Sequence, residues 1–194
     1  MKRRMLAEAT WHTMDRGVRR LDLFRDDSDR RTFLEYAAEQ ASESRVNVRV
    51  YTLMDNHFHL QAASGSDRLG EFMQVVKSRY SRFVNRKYGL KGATFEGPYR
   101  AYPASSPWQV LKTAVYILLN PVSAGIVKRP EEYPWSSYGD LFGSSKLPLK
   151  CECGPLLDLL DGDRNVARRE FMELLQSHRT PPHASEDPAV AIQE

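Results

Sequence analysis

Two hydrophobic periodicities alternate along the first two-thirds of this chain, and their order constrains the fold more than any other feature of the sequence. Patterns typical of strands lie at residues 10–15, 46–54, 57–63 and 94–102. Patterns typical of helices lie at 29–43, 68–88 and 105–120, with Ser28 placed to cap the first and Pro121 to end the third. The predicted order is therefore strand, helix, strand, strand, helix, strand and one extra helix.

The first six elements match the split βαβ, ferredoxin-like arrangement, in which the first and third strands lie at the centre of the sheet. The predicted fold class is α+β: a ferredoxin-like βαββαβ antiparallel sheet with an extra C-terminal helix. Residues 1–150 are expected to form this domain, and residues 151–194 an acidic extension. The extension is predicted to contain one or two short helices within 155–177, with Phe171, Leu174 and Leu175 as an apolar patch, and a disordered tail at 180–194.

Charge is distributed unevenly, although the whole chain of 194 residues carries only +3. Residues 64–102 hold eight Lys and Arg against three Asp and Glu, whereas residues 151–194 hold four against nine. A basic middle with an acidic end is typical of a domain that meets a polyanion, but two solvated faces of opposite sign explain it equally well. Nucleic acid is therefore a candidate partner that charge alone does not establish.

Sequence signals for export and membrane insertion are lacking. No apolar run is long enough to span a bilayer, and the basic start of the chain lacks the apolar stretch of a signal peptide. Cys151 and Cys153 stand too close for an ordinary disulfide framework. We expect a cytoplasmic protein without a membrane partner.

His57 and His59 form the sharpest local feature, because alternate residues of a strand share one face. Two imidazoles rooted roughly 6–7 Å apart can hold one divalent metal and leave coordination positions open. Two ordinary surface histidines would show the same pattern. His12, on the neighbouring first strand, could contact the phosphate or the metal shell, or simply make a structural hydrogen bond.

The third helix places Tyr116 and Asn120 one turn apart on its polar side. This pair indicates either a function beyond packing or an exposed tyrosine followed by a helix-ending asparagine. Tyr80 lies in the apolar stripe of the second helix, so we expect it in the core. Along one flank of that second helix runs a row of arginines that could track a phosphate backbone or form a solvated face: Arg68, Arg79, Arg82 and Arg86.

In these residues the chain resembles the REP-associated tyrosine transposases, relatives of the single-tyrosine HUH transposases of small bacterial insertion sequences. The resemblance runs from about Trp11 to Tyr138. The matching pieces are His12…Arg16-Gly17, Phe24-Arg25-Asp26-Asp27, MDNHFHL at 54–60, Tyr80…Phe83…Asn85-Arg86-Lys87-Tyr88-Gly89, Tyr116-Ile117-Leu118-Leu119-Asn120-Pro121 and Pro134-Trp135-Ser136-Ser137. The family more usually has Pro where Asp55 stands, a position that shapes only the turn.

The resemblance implies that His57 and His59 are metal ligands, Asn120 the third protein ligand and Tyr116 the nucleophile. It also implies a monomer associated with the nucleoid, whose substrate is single-stranded DNA flanking a short palindromic hairpin. Imidazole and amide ligands of this kind suit Mg²⁺ or Mn²⁺, and they tolerate Zn²⁺.

The expected activity is metal-dependent, sequence-specific cleavage and rejoining of DNA through a covalent 5′-phosphotyrosine. Two alternatives remain open: a catalytically silent DNA-binding module of the same fold, and a metallohydrolase that uses the histidines without the tyrosine.

Overall fold

A computed structural model of the chain describes residues 9–178. The strands are β1 (Ala9–Arg16), β2 (Asn47–Leu53), β3 (His57–Ser64) and β4 (Arg100–Pro103). The helices are α1 (Asp27–Ser44), α2 (Ser66–Tyr88), α3 (Pro107–Ser123), α4 (Tyr138–Phe142), α5 (Gly154–Leu157) and α6 (Arg164–Ser177). No helix within residues 9–178 is long and apolar enough to cross a membrane. The tail predicted to be disordered, 180–194, lies outside the described residues.

The four strands form one antiparallel sheet in the order β2-β3-β1-β4. The first and third strands are therefore central, as the ferredoxin-like arrangement predicts. In the register of this central pair, Arg16 lies opposite His57, Met14 opposite His59, and His12 opposite Gln61. Since residues paired across an antiparallel ladder point to the same side, these six side chains share one face of the sheet.

The two faces of the sheet are covered by different helices. Phe58, Leu60 and Ala62 of β3 point away from the histidines and pack with α1 and α2 in one buried cluster. Tyr80 lies in this cluster, is fully buried and donates a hydrogen bond from its hydroxyl to the Leu23 carbonyl, which confirms the core position predicted for it. On the opposite face, α3 packs over β2 and β3.

Polar contacts tie the start of α1 to the end of α2. The cap of α1 is Asp26, whose side chain accepts from the Asp29 N–H; the prediction that Ser28 caps the helix was wrong because the helix already begins at Asp27. The ammonium group of Lys87 donates to Asp26 and to the fully buried Asp29 carboxylate, at 2.7 Å each. These contacts with Lys87 and the Asp29 N–H hold the pKa of Asp26 below its usual range.

The fourth strand is shorter than predicted. The pattern at 94–102 indicates a continuous strand, but regular pairing with β1 begins only at Arg100. Phe95 makes a single isolated bridge with Gly17, and Gly97 and Pro98 follow it. Proline has no N–H to donate and glycine weakens an extended segment, so the ladder is interrupted there.

Pro121 does not end α3, contrary to the prediction, since the helix continues to Ser123. A proline at this position removes the N–H that would bond the Ile117 carbonyl. The hydroxyl of Thr52 on β2, which is fully buried, donates to that carbonyl at 2.8 Å instead. The sheet thus replaces the missing helical hydrogen bond and lets the helix run on for another turn.

The outer side of α3 is covered by the C-terminal extension. Phe171 and Leu175 of the predicted apolar patch are buried in a second cluster with α3, α4 and α5, and Leu174 packs against its margin. The described helices of the extension are therefore part of the packed structure, with their apolar sides against Leu111, Ala114 and Leu118 of α3.

Replacing the donor to the Ile117 carbonyl tests this exchange of hydrogen bonds. Thr52→Val keeps the shape and leaves a buried carbonyl without its partner, so we expect the free energy of unfolding to fall by about 1–3 kcal/mol. Pro121→Ala restores the backbone N–H and should recover part of this loss in the Thr52→Val background. Chemical denaturation of the four chains in this double-mutant cycle measures the coupling; strictly additive effects would contradict it.

Candidate catalytic site

The two histidines of β3 lie at the centre of the sheet on the face covered by α3. Their rings are nearly perpendicular, with centroids 5.0 Å apart. His59 is buried, with 1% of its surface exposed, whereas His57 at the end of the strand is half-buried. The His59 imidazole is thus enclosed by the protein, whereas the His57 imidazole lies at the edge of this face of the sheet.

Helix α3 brings the predicted tyrosine and asparagine to these histidines. The Tyr116 ring meets the His59 ring edge to face, with centroids 5.4 Å apart. The Asn120 amide donates to the Tyr116 hydroxyl at 3.1 Å, and the Asn120 side chain also forms a hydrogen bond with His57. Four predicted site residues from two distant segments therefore meet in one place.

The polar side of α3 faces the sheet and not the solvent. Thr113 on this side is buried, Tyr116 and Asn120 are half-buried, and Gln61 of β3 donates to the Val110 carbonyl at 2.9 Å. An amphipathic pattern by itself suggests that the polar side is exposed. Here the opposing face of the sheet is also polar, so the two polar surfaces bury each other.

His12 forms a direct contact with His59. The Nε2 atom of His12 lies 3.0 Å from the Nδ1 atom of His59, and the two rings stack with centroids 5.2 Å apart. His12 is buried, with 4% exposed. The structure thus places His12 in direct contact with His59, the buried member of the histidine pair.

Asn56 is a site residue that the sequence analysis missed, because an Asp-Asn dipeptide before a strand predicts only a turn. Its side-chain oxygen lies 2.7 Å from Nδ1 of His57 and accepts the proton of that nitrogen. The Nε2 atom of His57 is then the unprotonated nitrogen of the neutral ring. The signal in the sequence was the position of an amide side chain directly before the first histidine.

Burial sets the charge state of both histidines. Loss of hydration lowers the pKa of His57 below its ordinary value, and this effect is partly opposed by the hydrogen bond with Asn120. Burial lowers the pKa of His59 further, with added repulsion from His12 and His57. Both rings are therefore neutral at pH 7, which is the form that binds metal ions.

The donor atoms at this site could hold one metal ion only if the asparagine contributes. Within residues 9–178, no group of three His, Cys, Asp or Glu side chains converges. His57, His59 and the Asn120 amide form a smaller set of two imidazole nitrogens and one oxygen. Nε2 of His59 has no hydrogen-bond partner among the described residues, so it is available as a ligand atom.

The arginine row of α2 lies in a different layer. Helix α2 covers the face of the sheet opposite the histidines, so the structure does not bring Arg68, Arg79, Arg82 or Arg86 to the candidate site. The Arg79 guanidinium is held by Glu39 at 2.7 Å and lies over the Tyr36 ring. Arg82 and Arg86 are exposed.

Comparison with known proteins gives a family match that includes most of this site. A family model described as transposase IS200 like matches residues 6–118, more than half of the chain. This chain belongs to that family. The match includes His12, His57, His59 and Tyr116 and ends two residues before Asn120. The resemblance proposed from the sequence is therefore confirmed at the level of the family, and the protein is a transposase.

Solved structures support the same fold. A REP-associated tyrosine transposase bound to a REP hairpin matches with a TM-score of 0.61 and 16% identity, over 79% of this chain and 92% of that chain. A putative transposase from Deinococcus radiodurans matches with a TM-score of 0.43 and 13% identity, over 56% of this chain and 88% of that one. The first match shows the shared fold. The search of curated proteins gave no match.

The lowered histidine pKa values make the stability of the transposase depend on pH. The unfolded chain binds protons near pH 6.5 that the folded chain rejects, so the free energy of unfolding should fall as the pH drops from 7 to 5. The slope should reach about 1.4 kcal/mol per pH unit for each histidine involved. Denaturation with a chelator present measures it. The double variant His57→Gln/His59→Gln should flatten the dependence of the free energy of unfolding on pH, whereas His178→Gln, at an exposed position, should not. Equal slopes for the unaltered chain and these two variants would contradict this assignment.

Proposed function

We propose that this transposase cuts and rejoins single-stranded DNA beside a palindromic hairpin, with Tyr116 as the nucleophile. The observation that supports this most strongly is the convergence of Tyr116 and Asn120 from α3 with His57 and His59 from β3. A hydroxyl that accepts from an amide, next to two neutral imidazoles that could hold a metal ion, supports attack on a phosphodiester. REP-type hairpin elements are the proposed substrate class, because the structural neighbour with the same fold is bound to a REP hairpin.

The proposed cofactor is Mg²⁺ or Mn²⁺, held by His57, His59 and Asn120. Such an ion would polarise the scissile phosphate and offset the charge that develops on it. The protein contributes neutral imidazoles and fixes the tautomer of His57 through Asn56. To serve as a ligand, the Asn120 side chain would exchange its hydrogen bond with His57 for the ion.

The chain's own residues would perform the transfer. The Tyr116 hydroxyl loses its proton to solvent, which the half-buried side chain reaches, and the phenolate oxygen forms a bond to phosphorus. The bond from phosphorus to the 3′ oxygen breaks, and the leaving 3′ oxygen takes a proton from solvent, which gives a free 3′-OH and a 5′-phosphotyrosine. The N–H group that Asn120 donates to the phenolic oxygen stabilises the phenolate before attack. The reverse step rejoins the strand without another energy source.

The mode of DNA binding follows the same proposal. The exposed Arg82 and Arg86 of α2 are proposed to contact phosphates away from the catalytic face, together with the half-buried Arg68 and Arg79 of the same row. The proposed active form is a monomer, since all four site residues come from one chain.

Removing the phenolic oxygen tests the nucleophile. Tyr116→Phe keeps the ring against His59, so folding and DNA binding should survive, while cleavage and the covalent adduct should both disappear. The measurement is denaturing electrophoresis of the protein after incubation with Mn²⁺ and a hairpin oligonucleotide whose labelled strand lies 3′ of the cut. A silent DNA-binding module leaves no adduct with the unaltered chain either, and a metallohydrolase cuts the strand without an adduct.

The matched control is Tyr80→Phe, which also removes one tyrosine hydroxyl but from the opposite layer. This variant should lose some stability, because the Leu23 carbonyl loses its partner, and it should still form the adduct. An adduct formed by Tyr116→Phe and not by Tyr80→Phe would overturn the assignment.

His12 is proposed as a positioning residue for His59. By accepting the Nδ1 proton of His59, it would leave the Nε2 atom of that ring free to bind the ion. His12→Phe removes the acceptor and should lower Mn²⁺ affinity by about 10- to 100-fold, as measured by calorimetry on the chelator-treated protein. His12→Gln supplies another acceptor and should recover part of this affinity. Equal affinities for the two variants would assign His12 a packing role alone.

A further inference from the structure

The loop that follows β1 projects exposed side chains at the edge of the catalytic face. Its first residue, Gly17, donates to the Asn56 carbonyl at 2.8 Å, and Val18 donates to the Thr94 carbonyl at 3.0 Å. Where the loop returns, the N–H groups of Leu23 and Phe24 both donate to the Asp55 carbonyl. The loop is thus clamped at both ends around the turn that immediately precedes His57.

Residues 18–22, which we call the arginine loop, include two residues with an unusual backbone conformation. Arg19 and Arg20 have φ angles of 55° and 61°, a region that side chains other than glycine rarely adopt. The loop also folds back tightly, because a Cβ atom on Gly17 would lie 2.1 Å from the Leu21 carbonyl oxygen. Strained backbone of this kind persists where surrounding contacts impose it, and it is concentrated at functional sites.

The strained backbone presents two cations and one apolar side chain to solvent. Arg19 and Arg20 are exposed, and neither has an ion-pair partner among residues 9–178. Leu21 is 59% exposed, more than any other large apolar side chain in the part of the chain that the structure describes. Arg79 of α2, in contrast, has its guanidinium held by Glu39.

We propose that the arginine loop binds the junction at which the DNA hairpin ends and the single strand begins. This inference rests on the proposed function and adds a binding surface to it. Arg19 and Arg20 contact backbone phosphates of the strand that passes to Tyr116, since guanidinium groups pair strongly with phosphate oxygens. Leu21 packs on the last base pair of the hairpin, in the way that apolar side chains contact exposed base steps.

The position of the loop favours this occupant. A strand that reaches Tyr116 must be unpaired, so the duplex has to stop at the edge of the catalytic face. The arginine loop stands at that edge, beside the turn that leads into His57, and Arg16 at its base lies opposite His57 in the sheet. Its charge is complementary to DNA, and its apolar tip fits the exposed face of a terminal base pair.

The test measures binding without cleavage, by fluorescence anisotropy with a chelator present and over a range of salt concentrations. The two probes are a synthetic hairpin with a single-stranded 5′ extension and an unpaired oligonucleotide of the same length. Arg19→Gln/Arg20→Gln should weaken binding to both probes. On the unpaired probe it should lower the slope of log affinity against log salt by about 0.7 for each lost phosphate contact. Leu21→Ser should weaken binding to the hairpin several-fold and leave the unpaired probe unaffected.

The matched control is Arg31→Gln/Arg169→Gln, which removes the same charge from exposed positions on α1 and α6. It should leave the salt slope unchanged, and thermal unfolding checks that every variant folds. A loop variant with the slope of the unaltered chain, or a Leu21→Ser variant that weakens both probes equally, would overturn the proposal. If the unaltered chain bound neither probe, the proposed function itself would fail, whereas the adduct test on Tyr116 is independent of the loop.

Discussion

A polar surface buried at the centre of the sheet is the constraint on which the rest of this structure depends. Three side chains on it, Thr52, His59 and Gln61, are almost completely buried, and buried polar groups are costly unless they form hydrogen bonds. Thr52 and Gln61 reach carbonyls of α3 that lie two turns apart, those of Ile117 and Val110. These two bonds fix the helix along its axis and in rotation, and the position of Tyr116 follows from them.

Half of the six sequence pieces that carry the family resemblance lie outside the candidate site and serve the fold. The segment around Lys87 meets the one around Asp26 and satisfies the buried Asp29 carboxylate. The segment at 134–137 lies along the free edge of β2, where the Leu53 N–H donates to the Trp135 carbonyl. An uncovered edge strand invites pairing with other chains, so this cover has a structural value of its own.

The sequence was sufficient to predict the fold class, the central position of β3 and the core role of Tyr80, because these depend on periodicity and element order. It was insufficient where a contact between distant segments decides the outcome. The effect of Pro121 depends on Thr52, which lies on another element. The role of Asn56 depends on the orientation of a ring that no pattern reveals.

The placement of the exposed arginines shows the same limit. A row of arginines on a helix is visible in the sequence, whereas the arginine loop contains only two adjacent arginines in a short polar connection. Its significance comes from the sheet register, which places the end of β1 beside the start of β3. The arginine row of α2, although richer in charge, is separated from the histidines by the thickness of the sheet.

The C-terminal extension affects the site through position more than through charge. Its acidic composition suggests competition with DNA for the basic middle of the chain, but its buried side chains Phe171 and Leu175 pack behind α3. Helix α3 is therefore held between hydrogen bonds to the sheet on one side and apolar packing on the other. Phosphoryl transfer requires the nucleophile to be held within a fraction of an ångström of its productive position, and a helix fixed on both sides provides this. The extension thus restricts the movement of the helix that carries Tyr116, the proposed nucleophile.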